Sequence, residues 1–253
     1  MTNTKTIGLS LILALAVFSA ASPAGAQSAA ASGKWQFEIT PYFWLSGLET
    51  NIKVGLVPEQ STYVSFSELS KLVHVGLAGQ FEARKDRWGF LIDAMYVDLG
   101  TTKVQSGKMP GDVDVTMKQS SFSLAGLARV VEGKAAVDLF AGVRYNSMSS
   151  GLKLTSGSYA GLEKSSTDDW VDGFGGARLL VSLARAWTLE WYGDIGTGGS
   201  TLSWATWAGL DIRFSRVFYG KAGYRYSYFN RPQDSGYLKQ KKSGPYFALG
   251  IRF

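Results

Sequence analysis

The chain has 253 residues, no cysteine, a single histidine and a formal charge of +6. That length suits one sizeable domain, while the cysteine and histidine counts exclude disulfides and give no basis for a zinc centre. Its basic residues are dispersed among apolar ones rather than gathered into one face, which argues against nucleic acid as a partner.

At the amino terminus Lys5 precedes an apolar run from Ile7 to Ala21, and Ala24-Gly25-Ala26 is a small-x-small cleavage site. This pattern predicts a secretory signal peptide over residues 1–26. Residues 27–33 are small and polar and read as a flexible leader to one domain, 34–253. No later run reaches the ~18 apolar residues of a helical membrane span. A transmembrane β-barrel stays open, because its strands alternate and carry only half the apolar signal.

Alternation is what the remainder shows. Trp35, Phe37, Ile39, Phe43 and Leu45 predict a first strand over about 34–48, with Pro41 expected at a bulge or bend because it has no N–H to donate. Residues 49–73 are less regular and read as a long loop. Within it 51–66 is a possible extra hairpin, and Ser67–Val73 has apolar residues at helical spacing. Val75, Leu77 and Phe81, then Trp88, Phe90, Ile92 and Tyr96, form a hairpin about Lys85-Asp86-Arg87. A Gly/Lys/Pro-rich loop is expected over about 100–112.

A second hairpin covers about 113–131 and 135–150. Its apolar parity flips between Met117 and Phe122, which predicts a bulge at 119–121. Residues 151–167 read as a loop. A third hairpin covers about 168–183 and 187–196, and a fourth about 201–214 and 217–229, before a polar, basic loop over 230–243.

The final stretch, Gly244 to Phe253, alternates Phe247, Leu249, Ile251 and Phe253 with Tyr246, Ala248, Gly250 and Arg252. An alternating last strand ending in Phe resembles the closing strand of bacterial outer-membrane barrels, the signal read by the barrel-assembly machinery. The count is ten strands, or twelve if 51–66 forms its own pair. Short connections near 86, 133, 185 and 215 alternate with long ones, as periplasmic turns and outer loops do. The expected fold is thus all-β, an antiparallel up-and-down transmembrane barrel. Its 14 Phe, 12 Tyr and 8 Trp suit interfacial belts, and its 30 Gly suit turns and curved strands.

Pro41-Tyr42-Phe43-Trp44-Leu45, and Phe81 through Gly89 followed by Asp93 and Tyr96, resemble segments of a family of small, uncharacterised outer-membrane β-barrel proteins of Gram-negative bacteria. The resemblance implies a barrel and a place in the outer membrane. It implies no activity, catalytic residue or cofactor.

If the apolar parity faces lipid, the opposite parity lines the lumen. That set holds Glu38, Glu82, Asp93, Asp138, Asp172, Glu190, Asp194 and Asp211, with Arg84, Arg129, Arg144, Arg178, Arg213, Lys221, Arg225 and Arg252. Balanced signs predict an ion-pair network filling a narrow lumen, since a selective pore favours one sign. A narrow porin-like channel is the alternative. His74, near Ser70, Lys71 and Asp98, is the only histidine a lipid- or peptide-modifying enzyme could use, and it reads as a rim residue. Asp168-Asp169 reads as solvated. Gly173–Gly176 lies in a strand and lacks the lysine and helix of a phosphate loop. No catalytic, cofactor or metal residue is assigned.

The expected role is structural or surface-interacting, with outer-membrane lipid and lipopolysaccharide as partners. Arg231, Lys239, Lys241 and Lys242 of the last loop are candidates to meet the phosphates.

Overall fold

A computed structural model describes residues 33–56, 58–105, 112–154 and 161–253; the signal peptide and all but the last residue of the leader lie outside them. Twelve strands form one antiparallel sheet that closes on itself. They are β1 (Trp35–Trp44), β2 (Gly47–Val54), β3 (Gln60–Val64), β4 (Val73–Lys85), β5 (Trp88–Gln105), β6 (Asp112–Val131), β7 (Ala135–Leu154), β8 (Glu163–Ser182), β9 (Trp187–Gly198), β10 (Leu202–Arg213), β11 (Phe218–Gln233) and β12 (Gly236–Arg252). A one-turn helix, α1 (Phe66–Leu69), follows β3. Among the described residues no helix is long and apolar enough to cross a membrane.

The barrel wall has ten staves, running from β1 through β4 and onward in chain order to β12, which pairs back with β1. Closing the sheet through β1 and β12 satisfies most of its backbone groups within the wall. β2 continues the first stave. Trp44 opposes Tyr246 and Gly47 opposes Ser243 in one unbroken register, and Leu45 N–H donates to Pro245 O at 2.9 Å across the junction. β3 folds back on β2 as a hairpin above the wall. Ten staves and the extra pair therefore coexist. α1 is held by a capping box: the Glu68 carboxylate accepts from the Ser65 N–H at 2.9 Å and from its hydroxyl at 2.7 Å.

The outer face carries exposed Trp35, Ile39, Phe43, Leu77, Trp88, Leu139, Val143, Ile195, Phe218, Phe247, Leu249, Ile251 and Phe253. In water such a band would be costly; against lipid tails it is the favourable surface. The inner face is sealed by Leu91, Leu127, Phe140, Phe174, Tyr192, Trp207 and Tyr246.

The structure corrects four local expectations. The β6–β7 register is continuous from Val113 to Arg129, so there is no bulge at 119–121. The apolar parity flips there because β6 rises out of the lipid band, above which the outer face meets water and the inner face keeps the core. Residues 230–243 are not a loop: β11 and β12 run on, paired as far as Gln233 and Gly236. Much of 49–73, 100–112 and 151–167 is likewise strand. Pro41 sits at no bulge in the β1–β12 register. It is the last β1 residue paired with β4, opposite Gly79, consistent with its missing N–H.

Candidate functional site in the barrel lumen

Side chains of one parity from every stave converge inside the barrel, in layers. At the end of the barrel that carries the short turns Arg252 donates to Glu38 at 2.6 Å, and Tyr219 bonds Thr40 and donates to Glu38 at 3.0 Å. Beside them Lys221 reaches Glu190 at 2.6 Å and Asp211 at 3.3 Å. Arg213 is exposed at the end of β10 and stands outside this cluster.

A larger cluster centres on Asp138, which is 1% exposed. Its carboxylate accepts from three guanidiniums: Arg84 at 2.8 and 3.3 Å, Arg129 at 2.8 and 3.1 Å, and Arg178 at 2.8 and 3.2 Å. Glu82 takes the other edges of Arg178, at 2.7 and 3.0 Å, and of Arg84, at 3.1 and 3.0 Å. Buried ions in this number persist only when each is paired and hydrogen-bonded, and here each is.

An aromatic slab crosses the lumen next. Phe140 stacks on Tyr192 at 4.6 Å, Tyr192 on Trp207 at 3.5 Å, and the Arg225 guanidinium lies 5.0 Å from the Trp207 ring. Arg225 also lies 5.4 Å from Tyr42 and 5.1 Å from Trp44, so three rings surround one cation. Arg225 donates to the Tyr42 hydroxyl at 2.8 Å and reaches Asp93 at 3.5 Å, and Asp93 also accepts from Gln80 at 2.8 Å. Opposite, Arg144 donates to Asp194 at 2.7 Å, lies over Phe174 at 4.5 Å and donates to Ser123 at 3.1 Å. Above it Gln119 donates to Gln240 at 3.0 Å. Asp172 is fully buried and accepts from the Ser200 N–H at 2.7 Å, outside the ion-pair clusters.

Small cavities remain in this interior. One is lined by Thr40, Tyr42, Gln80, Trp207, Lys221, Arg225, Tyr246 and Ala248. Another lies among Asp93, Ser123, Arg144, Phe174, Tyr192, Trp207 and Arg225, against Leu91 and Ala125. Among the described residues no cluster of three or more metal-ligating side chains occurs.

His74 is exposed at the outer end of β4, with its imidazole over Gly100, where a Cβ would meet Nε2 at 2.1 Å. Asp98 does not turn to it; its ion pair is with Lys118 at 3.6 Å. The four basic residues of 230–243 form no common patch. Arg231 pairs with Asp168 at 2.9 Å, Lys241 with Glu49 at 2.7 Å, Lys239 lies over Tyr237 at 4.0 Å, and Lys242 points inward between Gln240 and Gly244. Asp168 is therefore bound rather than solvated, and the Arg231 hydrogen bond holds its carboxyl below the usual carboxylate range.

Sequence reading did not single out the aromatic slab or the inward Lys242. The available signal was aromatic residues on the polar parity, at 140, 192 and 246.

No protein-family profile and no curated protein sequence matches the chain. Solved structures of similar shape do. The outer membrane protease OmpT from Escherichia coli aligns with TM-score 0.50 at 8% identity, over 87% of this chain and 96% of that one. The translocator domain of the autotransporter NalP from Neisseria meningitidis gives 0.45 at 13%, over 98% and 95%. Ail, the attachment invasion locus protein of Yersinia pestis, solved with a heparin analogue, gives 0.40 at 13%, over 87% and 99%. At these identities the likeness is one of fold, and the fold is a closed antiparallel β-barrel of the outer-membrane type.

Proposed function

We propose that the chain is an integral outer-membrane barrel whose lumen is closed to solute flow, with a structural or surface-interaction role. The observation that carries this reading is the layered interior. The Asp138 cluster and the slab from Phe140 through Trp207 to Arg225 place salt-bridged groups and stacked rings across the bore. Moving an ion past them means breaking several mutually satisfied charges at once. A conducting pore needs weak, successive sites instead.

The exposed apolar band supports the membrane location, and the alternating β12 ending in Phe253 supports insertion by the barrel-assembly machinery. Above the band the long hairpins β2–β3, β5–β6, β7–β8 and β11–β12 offer the surface that would meet lipopolysaccharide or an extracellular partner.

Fractionation with a liposome-swelling assay tests both parts. The expected result is heat-modifiable protein in the outer-membrane fraction, and proteoliposomes that swell in small sugars no faster than empty ones. Recovery from the soluble periplasm would refute the location, and sugar-dependent swelling would refute the closed lumen.

A further inference from the structure

Among the described residues the wall is incomplete between β1 and β4. β1 and β4 pair from Trp35↔Lys85 to Pro41↔Gly79, and there the ladder stops. Beyond it the first stave pairs only with β12 on one side and, after Gly47, with β3 on the other. Val73–Ala78 of β4 pairs only with β5 among the described residues. Had the register continued, Phe43 would face Leu77 on the outer surface. On the inner surface Tyr42 and Trp44 would face Ala78 and Gly76. Phe43 is 72% exposed and Leu77 67%. Each is apolar and flanks the opening, while its inner margin on β4 is made of small residues.

The opening lies at lipid height. Phe43 opposes Phe247, six residues above the terminal Phe253. At ~3.3 Å per residue and the usual tilt, this is roughly 15 Å above the periplasmic rim of a ~25 Å band. Immediately inside it are Tyr42, Gln80 and Arg225, which line the first cavity.

The charge there is uneven. Arg225 shares Asp93 with Gln80 and Tyr42, and its Nε is buried without an acceptor. Lys242 projects inward on the neighbouring stave, two positions from the residue paired with Arg225. Among the described residues it makes no ion pair, unlike its neighbour Lys241, which is held by Glu49. Of the two cations lining the cavity, Lys221 is held by Glu190 and Asp211, while Arg225 has only its share of Asp93; with Lys242 pointing inward above it, two incompletely paired cations lie behind an apolar slot in the outer half of the membrane.

We propose that the β1–β4 seam is a lateral port for an anionic single-chain amphiphile from the outer half of the membrane. Its headgroup sits at Arg225 and Lys242, and its alkyl chain leaves between Phe43 and Leu77. This rests on the membrane location proposed above and adds a ligand to a barrel that stays closed below by the Asp138 cluster.

The test is tryptophan quenching of the full chain in neutral maltoside micelles by 2-bromododecanoate, whose bromine lies beside the carboxylate. Trp44 and Trp207 both flank Arg225. Wild-type protein is expected to show saturable quenching. Lys242→Ala should weaken it at least tenfold, Lys242→Arg should restore it, and a brominated dodecyltrimethylammonium should give none that saturates. The comparison of anion with cation on the wild type stands even if Lys242→Ala fails to fold. Equal affinity for both amphiphiles, unchanged affinity in a folded Lys242→Ala, or no saturation would overturn the port. Such a failure with heat-modifiable migration intact would leave the closed-barrel reading untouched.

Discussion

Asp138→Asn replaces the most heavily used carboxylate in the lumen with a neutral group of the same shape. In the native protein Asp138 and Glu82 face three guanidiniums. After the change Glu82 alone faces them. Arg84 and Arg178 keep contacts to Glu82, but Arg129 has no other acceptor among the described side chains. Breaking a buried ion pair from one side costs about 3–5 kcal/mol, mostly for the charge left behind. That figure is expected for Asp138→Asn, measured by urea unfolding of the detergent-refolded barrel through its heat-modifiable migration. Because the cost sits on the orphaned cation, adding Arg129→Met should return about 1–2 kcal/mol, although that substitution alone destabilises. A loss under ~0.5 kcal/mol for Asp138→Asn, or a double variant as weak as the sum of the singles, would refute this account of the cluster.

Three further outcomes follow from the geometry. Gly142→Ala places a methyl against the Leu124 carbonyl, 2.0 Å from an ideal Cβ, so it should destabilise by about 1–3 kcal/mol in the same assay, whereas Gly126→Ala, with open space, should not. Asp168 has a lowered folded-state pKa because Arg231 donates to its carboxylate. Its contribution is complete above the unfolded carboxylate value of about 4 and is lost as pH falls below that through the lower folded value. Protease cleavage of the outer β11–β12 hairpin should therefore rise only in that acid window, and Asp168→Asn should abolish the pH step. In this cysteine-free chain an Ile39→Cys/Ile251→Cys pair joins directly opposed residues of β1 and β12, and its oxidation should make the barrel resist unfolding on boiling; no cross-link would contradict closure by these strands.

How much could be read from sequence depended on height in the membrane. Between the rims lipid lies outside and packed polar groups inside, so the parity of Phe247, Leu249 and Ile251 against Tyr246, Ala248 and Arg252 reports facing directly. Above the rim that rule inverts, and Met117 and Leu238 are apolar and inward. This inversion produced the expected bulge at 119–121 and hid the strand character of 230–243, where Lys, Gly and Pro suggested a loop. A charge on the lipid face is prohibitive, which is why parity picked out residues such as Asp138 and Arg178, although Arg213, picked out with them, is exposed at the end of β10. Their partners were not legible. Asp138 meets Arg84 from across 54 positions and Arg178 from across 40, distances that only the closed sheet brings together. Nor did sequence locate the seam: Pro41 announced a missing donor, but where β4 parts from β1 is a matter of pairing between segments some forty residues apart.

Single-channel recording of the purified barrel in planar bilayers bears most directly on the closed lumen. Wild-type protein should insert without conductance steps. Arg178→Ala combined with Trp207→Ala, which opens both the charged layer and the aromatic slab, should conduct if it remains heat-modifiable. Reproducible steps from the wild type, of uniform size and carried by small ions, would contradict the account.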